Sequence, residues 1–185
     1  FSNSYYVPFE LNENLKKELI NQVDYSKREN IIICYGRPST PRNCFDLIKK
    51  GLILWQEVDD QNHVNLWKVY FVGEKFDKNL INGIRNAEIL NKLSLKSYAE
   101  LMKKSSIGIS LMESPHPSYP PIEMALFGVN VITNTYESKD LSKTEQENFM
   151  SLTPYRISFD KNTSNPNQNL QKYIKTYTPY IEKKH

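Results

Sequence analysis

Two arginines, Arg37 and Arg42, flank a short polar loop in the segment Tyr-Gly-Arg-Pro-Ser-Thr-Pro-Arg-Asn at residues 35–43. Guanidinium groups donate paired hydrogen bonds to phosphate oxygens, and a helix N-terminus adds a positive dipole end. Gly36 lets the backbone approach a ligand closely. Because arginine is unfavourable beside a helix N-terminus unless an anion compensates, the loop predicts a diphosphate site. The alternative is a pair of solvated arginines in a proline-rich turn.

A second loop, at residues 114–123, reads Ser-Pro-His-Pro-Ser-Tyr-Pro-Pro-Ile-Glu. Four prolines in ten residues make it rigid, which suits a loop that holds side chains for a ligand. His116 is either a ligand contact or a structural histidine. Tyr119 either stacks on a base or sugar or covers the loop. Glu123 falls in the first turn of the next helix, where it either accepts from ligand hydroxyls or complements the helix dipole.

Two further loops contribute one candidate each. Gly73 follows an apolar strand and by itself indicates only a turn. Lys92 brings a positive charge to the same region, although the bare sequence favours a solvated lysine. No histidine or acidic pair has metal-ligand spacing, so we predict neither a metal nor another cofactor.

The elements that position these loops alternate short apolar strands with longer helical stretches. Nearly all-apolar strands predict an α/β fold with a doubly wound, mostly parallel, Rossmann-like sheet covered on both faces. In such sheets the ligand lies outside the carboxyl ends of the strands, where the loops above should meet. Strands are predicted at residues 31–35, 66–72, 87–90, 106–112, 129–133 and 155–159. Helices are predicted from an N-cap at Thr40 to residue 58, and at 95–104, 120–127 and 168–181.

The composition is that of an ordinary globular protein, with 185 residues, 39% hydrophobic residues and a net charge of +3. The charges are interspersed, which argues against a nucleic-acid binder, and no apolar run approaches the roughly 18 residues of a membrane span. Cys34 and Cys44 match no metal spacing and predict reduced thiols in a cytoplasmic protein. The chain opens at Phe1 without a methionine, which predicts a fragment of a longer protein.

The loops resemble the nucleotide-sugar domain of retaining glycosyltransferases of the GT-B fold. The shared features are Gly-Arg with a basic residue five positions on, Val-Gly at 72–73, and Glu-x-x-x-x-Gly-Val-x-Val-Ile at 123–132. Arginine stands at position 42, where that group usually has lysine. The chain is still more similar to the S-layer glycan rhamnosyltransferases of the WsaF type, through the segments at 35–43 and 105–125.

The resemblance implies transfer of rhamnose from dTDP-rhamnose to a growing bacterial surface glycan, without a metal. It assigns the glycan acceptor to an N-terminal domain that this chain lacks, and leaves membrane association open. The resemblance covers residues 31 to about 142 well. Together with the pattern of predicted elements it divides the chain into a linker and leading helix at 1–30, a nucleotide-sugar domain at 31–160, and a loop and C-terminal helix at 161–185. Its implied donor-binding residues are Gly36, Arg37, Arg42, Gly73, Lys92, His116, Pro117, Ser118, Tyr119 and Glu123, with Glu123 accepting from the pentose hydroxyl.

The sequence departs from the broad group at one point. That group has a second glutamate eight residues before the equivalent of Glu123, where it contacts the donor sugar, and this chain has Pro115 there. The sugar contacts of the broad group therefore do not carry over. Two alternatives stay open: a nucleotide-binding scaffold that does not catalyse transfer, and a nucleotide-sugar epimerase of related architecture.

Overall fold

The computed structural model describes residues 12–20, 28–59, 61–116, 118–135 and 157–160. The described strands are β1 (Glu29–Tyr35), β2 (Lys68–Val72), β3 (Ala87–Ile89), β4 (Ser105–Ile109), β5 (Asn130–Thr135) and β6 (Ile157–Asp160). The described helices are α1 (Glu13–Ile20), α2 (Phe45–Val58), α3 (Gln61–Val64), α4 (Leu95–Lys104) and α5 (Tyr119–Leu126). Short 3-10 turns lie at Pro41–Asn43 and Lys78–Ile81.

The strands form one sheet in the order β3-β2-β1-β4-β5-β6, and every neighbouring pair is parallel. The direction of strand addition reverses beside β1, since β2 lies on one side of it and β4 on the other. Such a switch point opens a crevice at the carboxyl ends of the strands. We call this end of the sheet, with the loops that follow β1 to β4, the carboxyl edge. The predicted doubly wound, Rossmann-like sheet is confirmed.

The central strand β1 has buried side chains on both faces, which explains its continuous β-branched run. Ile32 packs in one apolar layer with residues of α2, including Trp55. Ile31 and Ile33 pack in the opposite layer with Met102 of α4. Burial of these side chains supplies the main free energy that holds helices against both faces.

The layer that contains α4 and α5 is anchored by Arg28. Its guanidinium donates to the backbone carbonyl oxygens of Met102, at 3.0 Å, and of Ser105 and Phe127. These carbonyls lie near the C-terminal ends of α4 and α5, where helical carbonyls lack intrahelical donors. Arg28 therefore fixes both helices at the end opposite the carboxyl edge.

Gly108 brings α5 close to the sheet. A Cβ atom at this position would lie 2.4 Å from Met124 Sδ and 3.2 Å from Val129 Cγ1. Both distances are shorter than ordinary carbon contacts, so any side chain at Gly108 displaces α5 or its thioether. The absence of a side chain at Gly108 therefore lets α5, the helix that carries Glu123, pack close to the sheet.

Two predicted boundaries are wrong by three or more residues, for identifiable reasons. Thr40 makes no capping hydrogen bond, and the chain forms a 3-10 turn before α2 begins at Phe45, because Cys44 adopts a left-handed conformation at φ 53°. Strand β4 ends at Ile109 rather than residue 112. The Asn134 amide explains the early end, since its Oδ1 accepts from Met112 N–H at 2.8 Å and its Nδ2 donates to Met112 O at 3.2 Å.

The last strand was predicted at 155–159 and is present as β6. The predicted helix at 168–181 lies outside the described residues. Within the described ranges, no helix combines the length and apolar character needed to cross a membrane.

Candidate functional site

The loop after β1 is held tightly against its neighbours. Gly36 N–H donates to Val72 O at 3.3 Å, and a Cβ on Gly36 would lie 3.0 Å from the Phe45 ring. Arg42 is exposed in the 3-10 turn, while its carbonyl accepts from Glu113 N–H at 2.8 Å. This bond ties the loop after β1 to the loop after β4, so the two main candidate loops form one surface.

Glu74, which sequence reasoning missed, shapes the arginine loop. Its Oε1 accepts from Ser39 N–H at 2.8 Å, and its Oε2 accepts from Ser39 Oγ at 2.5 Å. These two bonds, and then the nearby Arg37, lower the pKa of Glu74. The one available signal was its place directly after Gly73, in the loop of a strand adjacent to β1.

Arg37 forms an ion pair with Glu74, with its Nε 3.5 Å from Glu74 Oε2. The Arg37 side chain is 43% exposed, and its buried Nε makes no hydrogen bond with the described residues. Charge attraction to Glu74 therefore holds the guanidinium in place, and no hydrogen bond to the described residues occupies its two terminal nitrogens. This is the geometry that a phosphate-binding arginine needs.

Gly73 has a larger role than the turn predicted from its sequence context. Its φ of +119° favours glycine, and a Cβ would lie 3.2 Å from both Arg37 Cγ and Tyr35 Cε2. The missing side chain thus lets Arg37 and Tyr35 pack side by side over the end of β2.

A cavity of about 170 Å³ lies between the loops after β1, β2 and β3 and the start of α4. Its lining consists of Tyr35, Val72, Gly73, Asn91, Lys92, Leu93, Leu95 and Tyr98. The predicted candidates Gly73 and Lys92 therefore share one cavity. Lys92 is exposed and has no ion-pair partner among the described residues, so its charge is available at this cavity.

The loop after β4 presents His116 and Tyr119, which are exposed and whose ring centroids lie 6.5 Å apart. Ser118 N–H donates to His116 Nδ1 at 3.1 Å, so a neutral His116 carries its proton on Nε2. Buried Ser118 has a φ of +65°, a conformation that costs about 1–3 kcal/mol for residues other than glycine. Pro117 lies outside the described residues.

Glu123 lies on α5 beyond the first turn, not within it as predicted, because α5 begins at Tyr119. It is partly buried, and its carboxylate has no hydrogen bond or ion pair with the described residues. Burial raises the pKa of this carboxyl. Pro120 and Pro121 occupy the first turn of α5 and have no N–H to donate. An anion at this end of α5 therefore depends more on arginine and lysine side chains than on backbone donors.

Replacing Glu123 with glutamine should raise the free energy of unfolding at pH 7. A carboxyl whose pKa is raised on folding binds its proton more tightly in the folded state, so stability falls as pH rises from the ordinary value of 4.5 through the raised pKa. The difference between variant and parent should shrink at pH 4. Urea unfolding at pH 7 and pH 4 measures this difference in the free energy of unfolding, and Glu88→Gln, at an exposed position on β3, is the control. A glutamine variant that is less stable at pH 7 would contradict this account.

Most of the described candidate residues lie in the loops after four neighbouring strands at the carboxyl edge, while Tyr119 and Glu123 lie on α5, which follows the fourth strand. Gly36, Arg37, Gly73 and Lys92 surround the ends of β1, β2 and β3, and Arg42 joins them to the loop after β4. In the part of the chain that the structure describes, no group of three or more histidine, cysteine or acidic residues could hold a metal ion.

This all-parallel sheet has the fold of one Rossmann-like half of a GT-B protein, as two solved structures show. The structure of TarM superposes with a TM-score of 0.63 at 14% identity, covering 84% of this chain and 29% of that one. The structure of WaaG, a glycosyltransferase involved in lipopolysaccharide biosynthesis, gives 0.56 at 13% identity, covering 92% and 43%. The chain belongs to the family of the WsaF C-terminal domain, which matches residues 30–158.

Among curated proteins, the chain is similar to the O-antigen biosynthesis protein RfbC of Myxococcus xanthus. The two are 29% identical over 124 residues, which is 66% of this chain and 9% of that protein. The chain thus spans less than a tenth of this relative and less than half of either solved structure. The family that the sequence segments indicated is confirmed.

Proposed function

We propose that this chain is the donor-binding domain of a glycosyltransferase that builds a cell-surface polysaccharide. The observation that carries the proposal is the partly exposed Arg37 at the carboxyl edge, whose Nε lies 3.5 Å from Glu74 Oε2 and whose Cγ packs beside Gly73, a residue that lines the cavity. Membership of the WsaF C-terminal domain family supports the same class of activity, as do the roles of WaaG in lipopolysaccharide biosynthesis and of RfbC in O-antigen biosynthesis.

The donor diphosphate binds Arg37, Arg42 and Lys92 in this proposal, and the nucleobase enters the cavity past Gly36 and Gly73. Glu123 accepts a hydrogen bond from the pentose hydroxyl. The segment from His116 through Pro117 and Ser118 to Tyr119 lies against the sugar, and His116 Nε2 supplies a donor there. We further propose dTDP-rhamnose as the donor, on the basis of the resemblance at 35–43 and 105–125.

The chain's part in the reaction is electrostatic. Negative charge grows on the diphosphate as the bond to the sugar breaks, and fixed positive groups stabilise that charge. Arg37, Arg42 and Lys92 fit this role without a metal. We propose that the glycan acceptor binds an N-terminal domain of a longer cytoplasmic protein, so that the present chain binds the donor without transferring the sugar by itself.

Isothermal titration calorimetry with dTDP, dTDP-rhamnose, UDP and GDP tests the proposal. We expect dTDP to bind more tightly than UDP or GDP, and dTDP-rhamnose more tightly than dTDP. Preference for another nucleotide would retain the donor-binding domain and reject rhamnose transfer. Failure of all four to bind would contradict donor binding by this chain.

A further inference from the structure

Tyr98, near the start of α4, carries a polar group that the fold leaves unsatisfied. Its side chain lines the cavity, while its hydroxyl oxygen is buried and has no hydrogen-bond partner among the described residues. Buried tyrosine hydroxyls usually have a partner, and leaving one unsatisfied costs about 1–3 kcal/mol. Phenylalanine would fill the same apolar surroundings without that cost, so the hydroxyl calls for an explanation.

A complementary group lies on the neighbouring helix. The Tyr98 ring packs against the same apolar layer as Met124 and Ala125 of α5, the two residues that follow Glu123 in sequence. Burial first, and then the charges of Glu123 and Tyr35, raise the pKa of Tyr98. The Tyr98 hydroxyl therefore keeps its proton at neutral pH and can act only as a neutral donor or acceptor.

The two side chains thus form an incomplete arrangement in the chain without ligand. Tyr98 has a donor with no acceptor, and partly buried Glu123 has an acceptor with no donor, within the described residues. A half-buried carboxylate needs donors to remain ionised, and a ligand hydroxyl supplies only one. The tyrosine hydroxyl is the neighbouring group suited to supply the second.

We propose that Tyr98 is a positioning residue for Glu123: when a nucleoside diphosphate is bound, the Tyr98 hydroxyl donates to the Glu123 carboxylate, which accepts from the pentose hydroxyl of the ligand. The proposal rests on the proposed function and adds to it the residue that orients the pentose contact. Tyr98 then acts only on ligands that carry this hydroxyl, whereas Arg37 and Lys92 act on every diphosphate.

The test compares Tyr98→Phe with the unaltered chain, using dTDP and 3′-deoxythymidine diphosphate, which lacks the pentose hydroxyl. Calorimetry should show that Tyr98→Phe lowers the affinity for dTDP about tenfold, because a hydrogen bond to a charged group has been removed. The same substitution should leave the affinity for the deoxy analogue unchanged. Chemical unfolding of the unliganded variant should show equal or greater stability. The matched control is Tyr70→Phe, a half-buried tyrosine on β2 that packs against the same layer.

A double-mutant cycle isolates the pairwise contact. In the Glu123→Gln background, Tyr98→Phe should cost less dTDP affinity than in the parent, because the carboxylate that it orients is absent. The proposal would be overturned if Tyr98→Phe lowered the affinity for both ligands equally or left the dTDP affinity unchanged. It would also be overturned if the effects of Tyr98→Phe and Glu123→Gln were fully additive, or if the unliganded Tyr98→Phe variant were less stable than the parent.

The same titrations separate this inference from the proposed function. Failure of the unaltered chain to bind any of dTDP, UDP and GDP, or full nucleotide affinity in Arg37→Ala, would overturn the proposed function and this inference with it. Only the role of Tyr98 would be overturned if Arg37→Ala lowered the dTDP affinity while Tyr98→Phe changed the affinity for dTDP and for the deoxy analogue equally.

Discussion

Replacing Arg37 with alanine should weaken dTDP binding about 100-fold, which corresponds to about 2.7 kcal/mol. The side chain is oriented by Glu74 before the ligand arrives, so little freedom is lost when its terminal nitrogens bind the diphosphate. Arg37→Lys should recover only part of the affinity, because lysine keeps the charge but not the fork of donors. Isothermal titration calorimetry measures the dTDP affinity of the parent and of the two Arg37 variants.

The matched control is Lys50→Ala, which removes one positive charge from an exposed position on α2. If binding depended only on net charge, the two alanine variants would lose similar affinity. A change of less than about twofold in Arg37→Ala would show that the diphosphate is held elsewhere.

Substituting Gly108 with valine should destabilise the chain by about 3 kcal/mol, because extra carbon atoms in a packed core force neighbouring side chains and backbone apart. The first added atom already lies 2.4 Å from Met124 Sδ. Since α5 carries Glu123, the same variant should also bind dTDP more weakly. Urea unfolding gives the stability, and calorimetry gives the affinity.

A compensating substitution controls for nonspecific damage. Met124→Ala removes the thioether that valine would meet, so Gly108→Val combined with Met124→Ala should be more stable than the sum of the two single effects. Simple additivity, or a Gly108→Val variant as stable as the parent, would contradict the close approach of α5 to β4.

Most of the sheet could be predicted because its signals are local. The continuous β-branched run of β1 favours a strand that is buried on both faces of the sheet. Helix α4 was predicted at 95–104 and spans those residues, since Ser94 Oγ accepts from Ser97 N–H at 3.1 Å and fixes the first turn. Capping residues and apolar runs of this kind need no knowledge of the rest of the fold.

The wrong boundaries come from interactions that are not local. Strand β4 ends early because of the Asn134 side chain, which lies 22 residues beyond Met112. Thr40 and Pro41 match the pattern of a helix start, but the left-handed Cys44 separates them from α2. Sequence patterns carry the preference of each residue, whereas these outcomes depend on partners that the folded chain brings together.

The candidate site likewise contains some residues that could be predicted from the sequence and others that could not. Arg37 and Gly36 could be selected from their place after an apolar strand, because parallel strands direct such loops to a common edge. Glu74 could not, since its bonds to Ser39 span 35 residues and depend on β1 and β2 being neighbours. Tyr98 and the helix that carries Glu123 likewise share one apolar layer only because α4 and α5 pack on the same face of the sheet.

The central claim is that a nucleoside diphosphate binds at the carboxyl edge of this sheet. Heteronuclear NMR of the isotopically labelled chain, titrated with dTDP, tests it most directly. We predict saturable shifts of the backbone amides of Gly36, Arg37, Gly73, Lys92 and Glu123, with little change at Lys68 and Ser105, where β2 and β4 begin at the opposite end. Shifts centred at that opposite end, or no shifts at saturating dTDP, would contradict the claim.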